Sequence, residues 1–575
     1  MRMEADSKND LWAFREGRRD AATCGLYREL ADAANRLCEH PADAGLAISA
    51  LMRAGEFESG LADANSGAQI PAQQLTDRLA EAFLGESAGL AAVPDLLNRI
   101  SRFDLPPAIS ISPPEGFAYY ALHPHDFARL VERMPRQSAS ALVVGIRSIG
   151  TTLSAIVRAA LKQEGKSTER LTVRPTGHPY DRALHFTREQ KKEIDKWYAA
   201  GSDLLVVDEG PGRSGSSFLS VAEALMQAGV SSDRITLLGS RQADASHLCA
   251  ANARQRWSKF RFIWPEPSVY TRFSNHTYIG AGSWRDLLLN DRSSWPACWP
   301  QMERLKFLAP DRRFLFKFEG FGRFGEEVVL RAKILAKAGF GCTADDAGDG
   351  MVCYPVIRGH SLQARELSTR LIGHLARYCA FRAAEFRASD APASQLPAMV
   401  GFNLSQEFGL DLPSAMENLI TAEPILTDGR MHPHEWIGGP DGRLIKTDAC
   451  THGDDHFFPG PCDIAWDLAG AVVEWNMDDH AADLFLSEFR KISGLNRAAV
   501  IRDFILAYTI FQVAYWGMAV STVTGSDEES RVLSTYQHYR RLAERQLRKL
   551  LAARQSTASS TITCPDDIHV RIPSW

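Results

Sequence analysis

Between about residues 116 and 290, short apolar segments alternate with longer segments that have a helical pattern. The clearest helices are Thr152–Leu161 and Phe218–Ala228. The apolar segments have the length of buried strands and are Ala141–Val144, Leu171–Val173, Leu204–Val207, Ile235–Leu238 and Phe262–Trp264. This alternation predicts βαβ units and a parallel sheet with helices on both faces. Because ligands bind beyond the carboxyl ends of such strands, the loops that follow them are the first candidates for a site.

The rest of the chain divides around this region. A chain of 575 residues is too long for one hydrophobic core, so several domains are expected. Helical periodicity before the proline-rich stretch Leu105–Pro114 and a Trp- and Pro-rich segment, Ser293–Pro300, give plausible boundaries. We predict an α/β and α+β multidomain protein with a helical N-terminal region (1–110), a parallel-sheet α/β domain (111–295), a third domain (300–553) and a Ser/Thr-rich tail (554–575).

Composition and charge argue against several classes of function. The formal net charge of −5 argues against a chain-wide role with nucleic acid or membranes. The longest apolar run, around Ala507–Val520, is shorter than the roughly 18 residues that span a bilayer and is interrupted by Gln512. Ten cysteines without a Cys-x-x-Cys pair predict reduced thiols. We therefore expect a cytoplasmic protein with small-molecule partners and neither a nucleic-acid nor a membrane partner. A homo-oligomer is compatible with the sequence.

The strongest local signal for a site follows the third predicted strand. Asp208 and Glu209 come directly after Leu204–Val207 and precede a loop of glycines and hydroxyl residues that leads into a helix. Such a loop suits a phosphate, because backbone N–H groups, hydroxyls and a helix N-terminus all favour its oxygens. The two acids would repel a bare phosphate, so they indicate sugar hydroxyls or a cation beside it. The predicted phosphate-binding residues are Gly212, Arg213, Ser214, Gly215, Ser216 and Ser217.

Two neighbouring strands are also followed by residues that suit a diphosphate. Arg147 comes shortly after the first predicted strand, and Arg174 directly follows the second. The planar guanidinium of arginine makes bidentate contacts with such groups. Each feature taken alone has a simpler interpretation, either an ordinary turn between strand and helix or a surface salt bridge. The further candidates in these two loops are Ser148, Thr151, His178 and Arg182.

Together, the three loops resemble those of the type I phosphoribosyltransferases, in the order in which that family has them. The resemblance implies that Asp208 and Glu209 bind the ribose hydroxyls of phosphoribosyl pyrophosphate (PRPP) and that the 212–217 loop holds its 5′-phosphate. Arg147 would lie in the pyrophosphate loop, and the stretch after Arg174 would be a mobile loop that closes over the diphosphate. Pro211 and Arg213 depart from the family's pattern.

The resemblance also implies a reaction. Phosphoribose would pass from PRPP to an acceptor that the sequence does not identify, through a transition state similar to an oxocarbenium ion. Mg²⁺ and arginines would stabilise the departing diphosphate. The side chains Arg147, Arg174, Asp208 and Glu209 are the ones predicted to act in this step.

The C-terminal region resembles the aminoglycoside phosphotransferase and choline kinase superfamily. Lys317 lies on a predicted strand ahead of a helix that carries Glu327, as the phosphate-binding lysine does in kinases. Tyr354–Leu362 resembles the hinge of these enzymes, and Cys462–Ala469 resembles their later Asp-Leu-Ala segment. The resemblance implies a bilobal kinase-like domain that binds ATP at Lys317 and Glu327. Its implied Mg²⁺ ligands are Asp448 and Glu435.

The catalytic loop departs from that family. Met431–Ile437 aligns with it, which places Arg430 where the catalytic aspartate belongs and Glu435 where a metal-binding asparagine belongs. Arginine cannot accept a proton from a substrate hydroxyl, although Asp428 is a substitute after a small shift. His452-Gly453-Asp454 comes after Asp448, in the wrong order for the catalytic triplet. An active kinase, a variant nucleotide-dependent transferase and a kinase-like binding module all remain open.

The leading hypothesis is a bifunctional small-molecule enzyme. The middle domain would transfer phosphoribose from PRPP, and the kinase-like domain would phosphorylate a related metabolite or bind nucleotide. The alternative is a non-catalytic regulatory protein that senses PRPP or nucleotide. A third interpretation is a kinase-fold transferase whose α/β domain is an unrelated phosphate binder. The sequence does not identify the acceptor or the role of residues 1–110.

Overall fold

The computed structural model describes residues 11–134, 138–178, 180–212, 214–246, 248–289, 291–389, 391, 394–412 and 417–559. The chain forms two compact units. Of the described residues, the sheet unit contains those within 16–284 and 303–358, and the C-terminal unit contains those within 11–15, 285–302 and 359–559. This division differs from the predicted boundaries, because 303–358 group with the N-terminal and middle regions. Arg213 and tail residues 560–575 lie outside the described residues.

The described elements are as follows in chain order. The strands are β1 (Arg19–Ala22), β2 (Ala108–Ile111), β3 (Ser140–Ile146), β4 (Ser167–Val173), β5 (Thr176–His178), β6 (Asp181–Ala183), β7 (Asp203–Val207), β8 (Ile235–Leu238), β9 (Arg261–Ile263), β10 (Thr277–Tyr278), β11 (Lys306–Leu308), β12 (Phe314–Phe318), β13 (Asp345–Asp346), β14 (Met351–Pro355), β15 (His360–Ser361), β16 (Trp436–Gly438) and β17 (Leu444–Lys446). The helices are α1 (Thr23–Glu39), α2 (Ala44–Asp63), α3 (Gln69–Phe83), α4 (Val93–Ser101), α5 (Glu115–Ala118), α6 (Pro124–Arg133), α7 (Ile149–Gln163), α8 (Arg188–Ala199), α9 (Ser216–Gln227), α10 (Ala253–Trp257), α11 (Ser268–Arg272), α12 (Trp284–Leu288), α13 (Arg323–Lys337), α14 (Thr369–Glu385), α15 (Leu396–Phe408), α16 (Ala465–Glu474), α17 (Asp479–Ser493), α18 (Ile501–Val523) and α19 (Glu529–Ser559).

The middle of the sheet unit is a five-stranded parallel sheet in the order β4-β3-β7-β8-β9. Successive side chains on a strand point to opposite faces. Val143 and Leu205 therefore pack in the cluster that contains α7, whereas Leu142 and Val206 pack in the cluster that contains α9. Both faces are buried, as the continuous apolar runs predict.

The strand order places a switch point between β3 and β7. The chain leaves β3, adds β4 on one side and then returns to add β7 on the other side. The two crossovers therefore diverge at the carboxyl ends of β3 and β7, and such a divergence leaves a crevice. The predicted site loops follow these two strands.

The N-terminal helices belong to the same packed body as the sheet. As the periodicity predicts, Leu30, Ala33 and Leu37 form the buried face of α1. Leu51 and Leu75, from α2 and α3, belong to the same apolar cluster as residues of α7 and one face of the sheet. Helices α1–α4 therefore cover one side of the α/β layer.

A buried ion-pair network also joins the N-terminal helices to the sheet. The Arg170 side chain on β4 is fully buried and donates to Glu58 at 2.8 and 2.9 Å and to Asp77 at 2.7 Å. Farther along α3, Glu81 accepts from Arg158 of α7 at 3.0 Å. Buried charges are tolerated when they are paired in this way.

A second sheet in this unit is antiparallel, with the order β10-β11-β12-β14-β13. Its first strand is Thr277–Tyr278, which pairs with Phe307 and Leu308. The sheet therefore begins inside the region predicted as the α/β domain and continues past residue 300. Helix α13 follows β12, as predicted.

The C-terminal unit is largely helical around a small antiparallel sheet, β15-β16-β17. Helix α18 is long and apolar enough to cross a membrane by length and composition, unlike the interrupted run expected from the sequence. However, 72% of its most apolar window is buried inside the unit, as in the central helix of a globular fold. Helix α19 continues to Ser559, past the predicted end at 553.

Candidate functional site

The loops after β3 and β7 meet at the switch point. Gly150 lies so close to the end of β7 that an added Cβ would be 2.7 Å from the Val207 carbonyl oxygen and 3.4 Å from Asp208 Oδ1. Only glycine fits this approach. The structure therefore brings together two loops that the sequence predicted to share a ligand.

Asp208 and Glu209 lie at the carboxyl end of β7. The Glu209 backbone N–H donates to Asp208 Oδ1 at 2.8 Å, and the Gly116 N–H donates to Glu209 Oε2 at 3.1 Å. Gly116 belongs to α5, 93 residues before Glu209 in the chain. Its contact shows that the segment after residue 110 helps to form one wall.

Burial raises the pKa values of both carboxyl groups. The pKa of Asp208 is about 7, and the nearby charges of Arg182 and Arg174 act in the opposite direction. The pKa of Glu209 is about 8, because the charges of Glu115 and Asp208 add to the effect of burial. Near neutral pH these groups can both accept and donate hydrogen bonds, which suits sugar hydroxyls.

The loop after the acids is a tight turn that opens α9. Gly212 and Gly215 have φ angles of 53° and 69°, in the left-handed region that glycine adopts without strain. Ser214 Oγ accepts from the Ser216 N–H at 3.2 Å and donates to Ser216 Oγ at 2.9 Å. The twelve-residue helix α9 begins at Ser216, so Ser216 and Ser217 lie in its first turn. A helix N-terminus in this position favours an anion.

Arg147 and Arg174, the residues predicted to bind a diphosphate, converge on a carboxylate of the protein itself. Asp63, the last residue of α2, accepts from Arg147 Nη1 at 3.0 Å and from Arg174 Nη2 at 2.6 Å and Nε at 3.0 Å. The remaining Arg174 donor, Nη1, bonds to the Arg147 carbonyl at 3.0 Å. The sequence analysis missed Asp63, which carries no local motif.

The other predicted residues of these loops are Ser148 and Thr151, after β3, and His178 and Arg182, after β4. Ser148 has a φ of 109°, which is strained for a residue with a side chain. Thr151 is buried at the start of α7, and its Oγ1 has no hydrogen-bond partner among the described residues. The segment after Arg174 forms a short hairpin of β5 and β6, in which Gly177 pairs with Arg182. His178 lies on the exposed outer part of this hairpin, and β6 packs against α9.

Lys317 and Glu327 both lie in the sheet unit, on β12 and α13. Lys317 is buried, and its Nζ is 3.2 Å from Glu319 Oε1. Glu319 also accepts from the Tyr354 hydroxyl at 2.9 Å. Glu327 Oε2 is 3.5 Å from Arg331 Nη1. Glu319 is a contact of the lysine that the sequence analysis missed, although it lies only two residues away.

The turn between β12 and α13 has the pattern Gly320-x-Gly322-x-x-Gly325, and it borders a cleft of about 1300 Å³ in the sheet unit. The first and last of these glycines are explained by packing. A Cβ on Gly325 would be 2.4 Å from the Gly320 carbonyl oxygen, and one on Gly320 would be 2.9 Å from the Ala118 carbonyl oxygen. The pattern therefore gives no independent sign of a ligand.

The predicted catalytic loop of the C-terminal unit contains a cluster of charged groups. One ligand atom from each of Asp428, Glu435 and His452 lies within 4.8 Å of the others, a spacing that could hold a metal ion. Asp448 is not in this group; its Oδ2 is 3.4 Å from His452 Nε2. The two predicted metal ligands, Glu435 and Asp448, thus both lie near His452.

Cations surround this cluster. Lys446 Nζ is 2.7 Å from Glu435 Oε2. Burial raises the pKa of Glu435, but the charges of Lys446, His452 and His432 outweigh it and lower the pKa to about 2. The Arg430 guanidinium lies 4.9 Å from the centre of the Tyr515 ring. A guanidinium has no hydrogen-bond acceptor, so Arg430 cannot take a proton from a substrate hydroxyl.

His432 forms a second polar contact in this loop. Its Nδ1 is 2.9 Å from Glu474 Oε2, and the hydroxyls of Tyr508 and Tyr539 donate to Glu474 Oε1 at 2.8 and 2.7 Å. Glu474 is on α16, beyond the segments that the family resemblance singled out. These contacts hold the loop against the helices.

No protein-family model and no curated protein matches the chain. Solved structures that match include choline kinase LicA from Streptococcus pneumoniae, at 13% identity over 41% of this chain and 88% of that chain, with a TM-score of 0.29. A choline/ethanolamine kinase family protein from Mesorhizobium loti matches at 15% identity over 42% and 88%, also with a TM-score of 0.29. The GDP complex of aminoglycoside 2′-phosphotransferase-IIIa matches at 14% identity over 41% and 88%, with the same TM-score.

Two of these proteins are described as kinases and the third as a phosphotransferase. They give no support to the phosphoribosyltransferase prediction for the middle region. At such low identities and TM-scores the matches carry no argument about function. The proposals below rest on the geometry of the two units.

Proposed function

We propose that the sheet unit binds PRPP with Mg²⁺ and transfers its phosphoribosyl group to a small-molecule acceptor. The observation that carries this proposal is the arrangement at the end of β7. Two adjacent half-buried acids, Asp208 and Glu209, precede a tight Gly/Ser turn that opens α9, beside the loop after β3. Acids for ribose hydroxyls and a helix N-terminus for a phosphate thus lie on one short segment.

In this proposal each part of the segment has its own role. Asp208 and Glu209 accept hydrogen bonds from the ribose hydroxyls, which fixes the sugar at the crevice. The 212–217 turn holds the 5′-phosphate with the backbone N–H groups of the first turn of α9. The hydrogen bonds that the segment supplies offset the free-energy cost of removing these hydroxyls and phosphate oxygens from water.

Arg147 and Arg174 bind the diphosphate in this proposal, and this requires an exchange. Asp63 engages two donors of Arg174 and one of Arg147. A guanidinium that makes a bidentate contact with a carboxylate can make the same contact with diphosphate oxygens. The diphosphate therefore takes the place of Asp63 on at least one arginine. Arg182, on the β5–β6 hairpin, supplies further positive charge on the same side.

The test is isothermal titration of the full chain with PRPP, with and without Mg²⁺. We expect Mg²⁺-dependent binding by the wild-type protein. The variant Asp208→Asn/Glu209→Gln should weaken it at least about tenfold, because each amide replaces one carboxyl oxygen that faces the ribose hydroxyls with an NH₂ group that cannot accept a hydrogen bond. The matched control, Asp195→Asn/Glu193→Gln, changes two carboxylates on α8 and should bind like the wild type. No PRPP binding by the wild-type protein, or unchanged affinity in the site variant, would refute the proposal.

A second candidate is a protein that senses PRPP without turnover. The contacts of Asp63 with both arginines favour it, because a regulatory site needs a ligand-free state with a stable internal contact. Release of diphosphate separates the two functions. An enzyme releases diphosphate from bound PRPP when a suitable acceptor is present, whereas a sensor binds PRPP and releases none with any acceptor.

For the kinase-like region we propose nucleotide binding without transfer of a phosphoryl group. Arg430 lies half-buried over the Tyr515 ring and cannot act as the proton acceptor. The test is titration with ATP, followed by measurement of ADP formation with small alcohols and amines. Binding without ADP formation supports the proposal, and acceptor-stimulated ADP formation contradicts it.

A further inference from the structure

The C-terminal unit contains a group of side chains that could hold a metal ion, Asp428, Glu435 and His452. The sequence resemblance implies Mg²⁺ here, with Glu435 as one ligand. Whether these residues fit a divalent cation depends on what already lies among them. The closest positive charge belongs to Lys446, the last residue of β17.

The Lys446 ammonium is fully buried and its hydrogen-bonding capacity is used. Its side chain is 0% exposed. Nζ is 2.7 Å from Glu435 Oε2, 3.0 Å from the Thr447 carbonyl oxygen and 3.3 Å from Asp428 Oδ1. An ammonium group has three N–H donors, and three acceptors surround this one. Lys446 is therefore held between two of the three residues of the group.

The acceptors have other partners as well. Asp428 Oδ1 accepts from the Arg430 N–H at 3.2 Å, and Asp428 Oδ2 accepts from the Tyr378 hydroxyl. The aspartate is fully buried. Both of its oxygens thus have donors from the protein, and a metal ion would have to replace at least one of them.

Distance and charge both oppose a second cation at this position. Mg²⁺ binds carboxylate oxygens at about 2.0–2.1 Å. An ion in contact with Glu435 and Asp428 would lie next to the ammonium that contacts the same two carboxylates. Like charges so close repel strongly in a buried site, where water cannot screen them. If the ammonium were displaced instead, it would be left as a buried cation without a partner.

We propose that Lys446 is the built-in cation of the Asp428–Glu435–His452 group, and that the intact protein binds no divalent cation there. The residues present do not fit the Mg²⁺ that the resemblance implies. The lysine supplies the positive charge that pairs with the two carboxylates and joins them to β17. A nucleotide that binds to the C-terminal unit does so without a metal ion held by these side chains. This inference does not depend on PRPP binding by the sheet unit.

The test uses Mn²⁺ as the probe and the full chain throughout. Bound Mn²⁺ is counted by electron paramagnetic resonance for the wild-type protein and for Glu435→Gln, Lys446→Met and Lys446→Met/Glu435→Gln. Lys491→Met, at a largely exposed lysine of the same unit, is the matched control. We expect equal Mn²⁺ uptake by the wild type, Glu435→Gln and the control. Lys446→Met should take up one further equivalent, which the double variant loses.

Two results would overturn the proposal. One is a Mn²⁺ ion on the wild-type protein that Glu435→Gln loses, since the cation would then displace the lysine. The other is a folded Lys446→Met protein that gains no Mn²⁺. If Lys446→Met does not fold, the comparison of the wild type with Glu435→Gln alone decides, because both keep Lys446. Equal uptake there supports the built-in cation.

Discussion

Asp63 has the largest influence on what the predicted site can bind. Its carboxylate, at the end of α2, holds two arginines from different strand ends and lies 3.6 Å from Arg18 Nη2. In the ligand-free protein it therefore neutralises the charge that would attract a diphosphate. The same carboxylate also keeps the two guanidinium groups side by side. The two arginines are thus correctly placed for an anionic ligand, but their hydrogen-bond donors are engaged by Asp63.

Replacement of Asp63 by asparagine should strengthen PRPP binding. The amide keeps the size of the side chain but removes the charge that competes with the diphosphate. We expect a gain of about fivefold to tenfold in affinity, equivalent to about 1–1.4 kcal/mol, measured by isothermal titration with Mg²⁺. Asp195→Asn, on the surface of α8, is the control for a lost negative charge. Weaker binding by Asp63→Asn would mean that Asp63 only positions the arginines.

At the scale of single residues, the sequence predicts contacts between residues that are close together in the chain. Asp208, Glu209 and the glycines follow one strand directly, so their proximity could be predicted. Asp63 is separated from Arg147 by 84 residues and from Arg174 by 111 residues, and no pattern connects them. Lys446 was likewise missed, because its contacts with Asp428 and Glu435 join separate segments of the chain and leave no pattern in the sequence.

At the scale of elements, β4 and the helices α2 and α3 are joined by charge as well as by apolar packing. Arg170 makes two hydrogen bonds to Glu58 and one to Asp77, all in the interior of the sheet unit. Burial raises the pKa of Glu58, and the charge and hydrogen bonds of Arg170 oppose this effect. Arg170 is thus the fully buried cation that pairs with both carboxylates.

The variant Arg170→Met should destabilise the sheet unit by about 3–5 kcal/mol, because it leaves Glu58 without its arginine and Asp77 with only Arg158, whose Nε is 3.7 Å away. Thermal unfolding followed by circular dichroism measures this as a lower melting temperature. The triple variant Arg170→Met/Glu58→Leu/Asp77→Leu should recover most of the loss, since no buried charge remains. Arg256→Met removes a more exposed pair with Glu223, at 2.7 Å, and should cost at most about 1 kcal/mol. A similar loss in both single variants would contradict the argument.

The elements themselves were predictable where the apolar pattern is long. The parallel strands and the helices α7 and α9 follow from continuous apolar runs and helical periodicity. Strand β10 was missed because Thr277–Tyr278 is too short to show an alternation, and its partner β11 begins almost thirty residues later. The β5–β6 hairpin was predicted only as a loop, since its strands have three residues each.

At the scale of the whole molecule, the units do not follow the order of the chain. The α/β layer has one face covered by helices from residues 23–101, and the 303–358 sheet belongs to the same unit. Leu153 and Ile156 of α7 lie in the same cluster as Leu51 and Leu79 of the N-terminal helices. A fragment cut at the predicted boundaries would expose this apolar face to water.

The fragment 111–295 should therefore not fold on its own. We expect no cooperative melting transition and strong binding of a hydrophobic dye, as in a compact state without fixed packing. The fragment 16–358, which contains the whole sheet unit, is the control and should melt cooperatively. A cooperative transition in 111–295 would show that the N-terminal helices are dispensable for the α/β layer.

The C-terminal unit includes residues from the very start of the described chain. The Trp12 N–H donates to Asn403 Oδ1 at 2.8 Å, and Phe14 forms a bridge with Phe457. During synthesis on the ribosome, residues 11–15 emerge long before their partners, which follow only after some four hundred further residues. Residues 11–15 therefore have none of these partners while the residues of the sheet unit are synthesised. Completion of the second unit is thus a late event in the life of the nascent chain, and a bulky fusion placed before Trp12 would disturb the last step of assembly rather than the first.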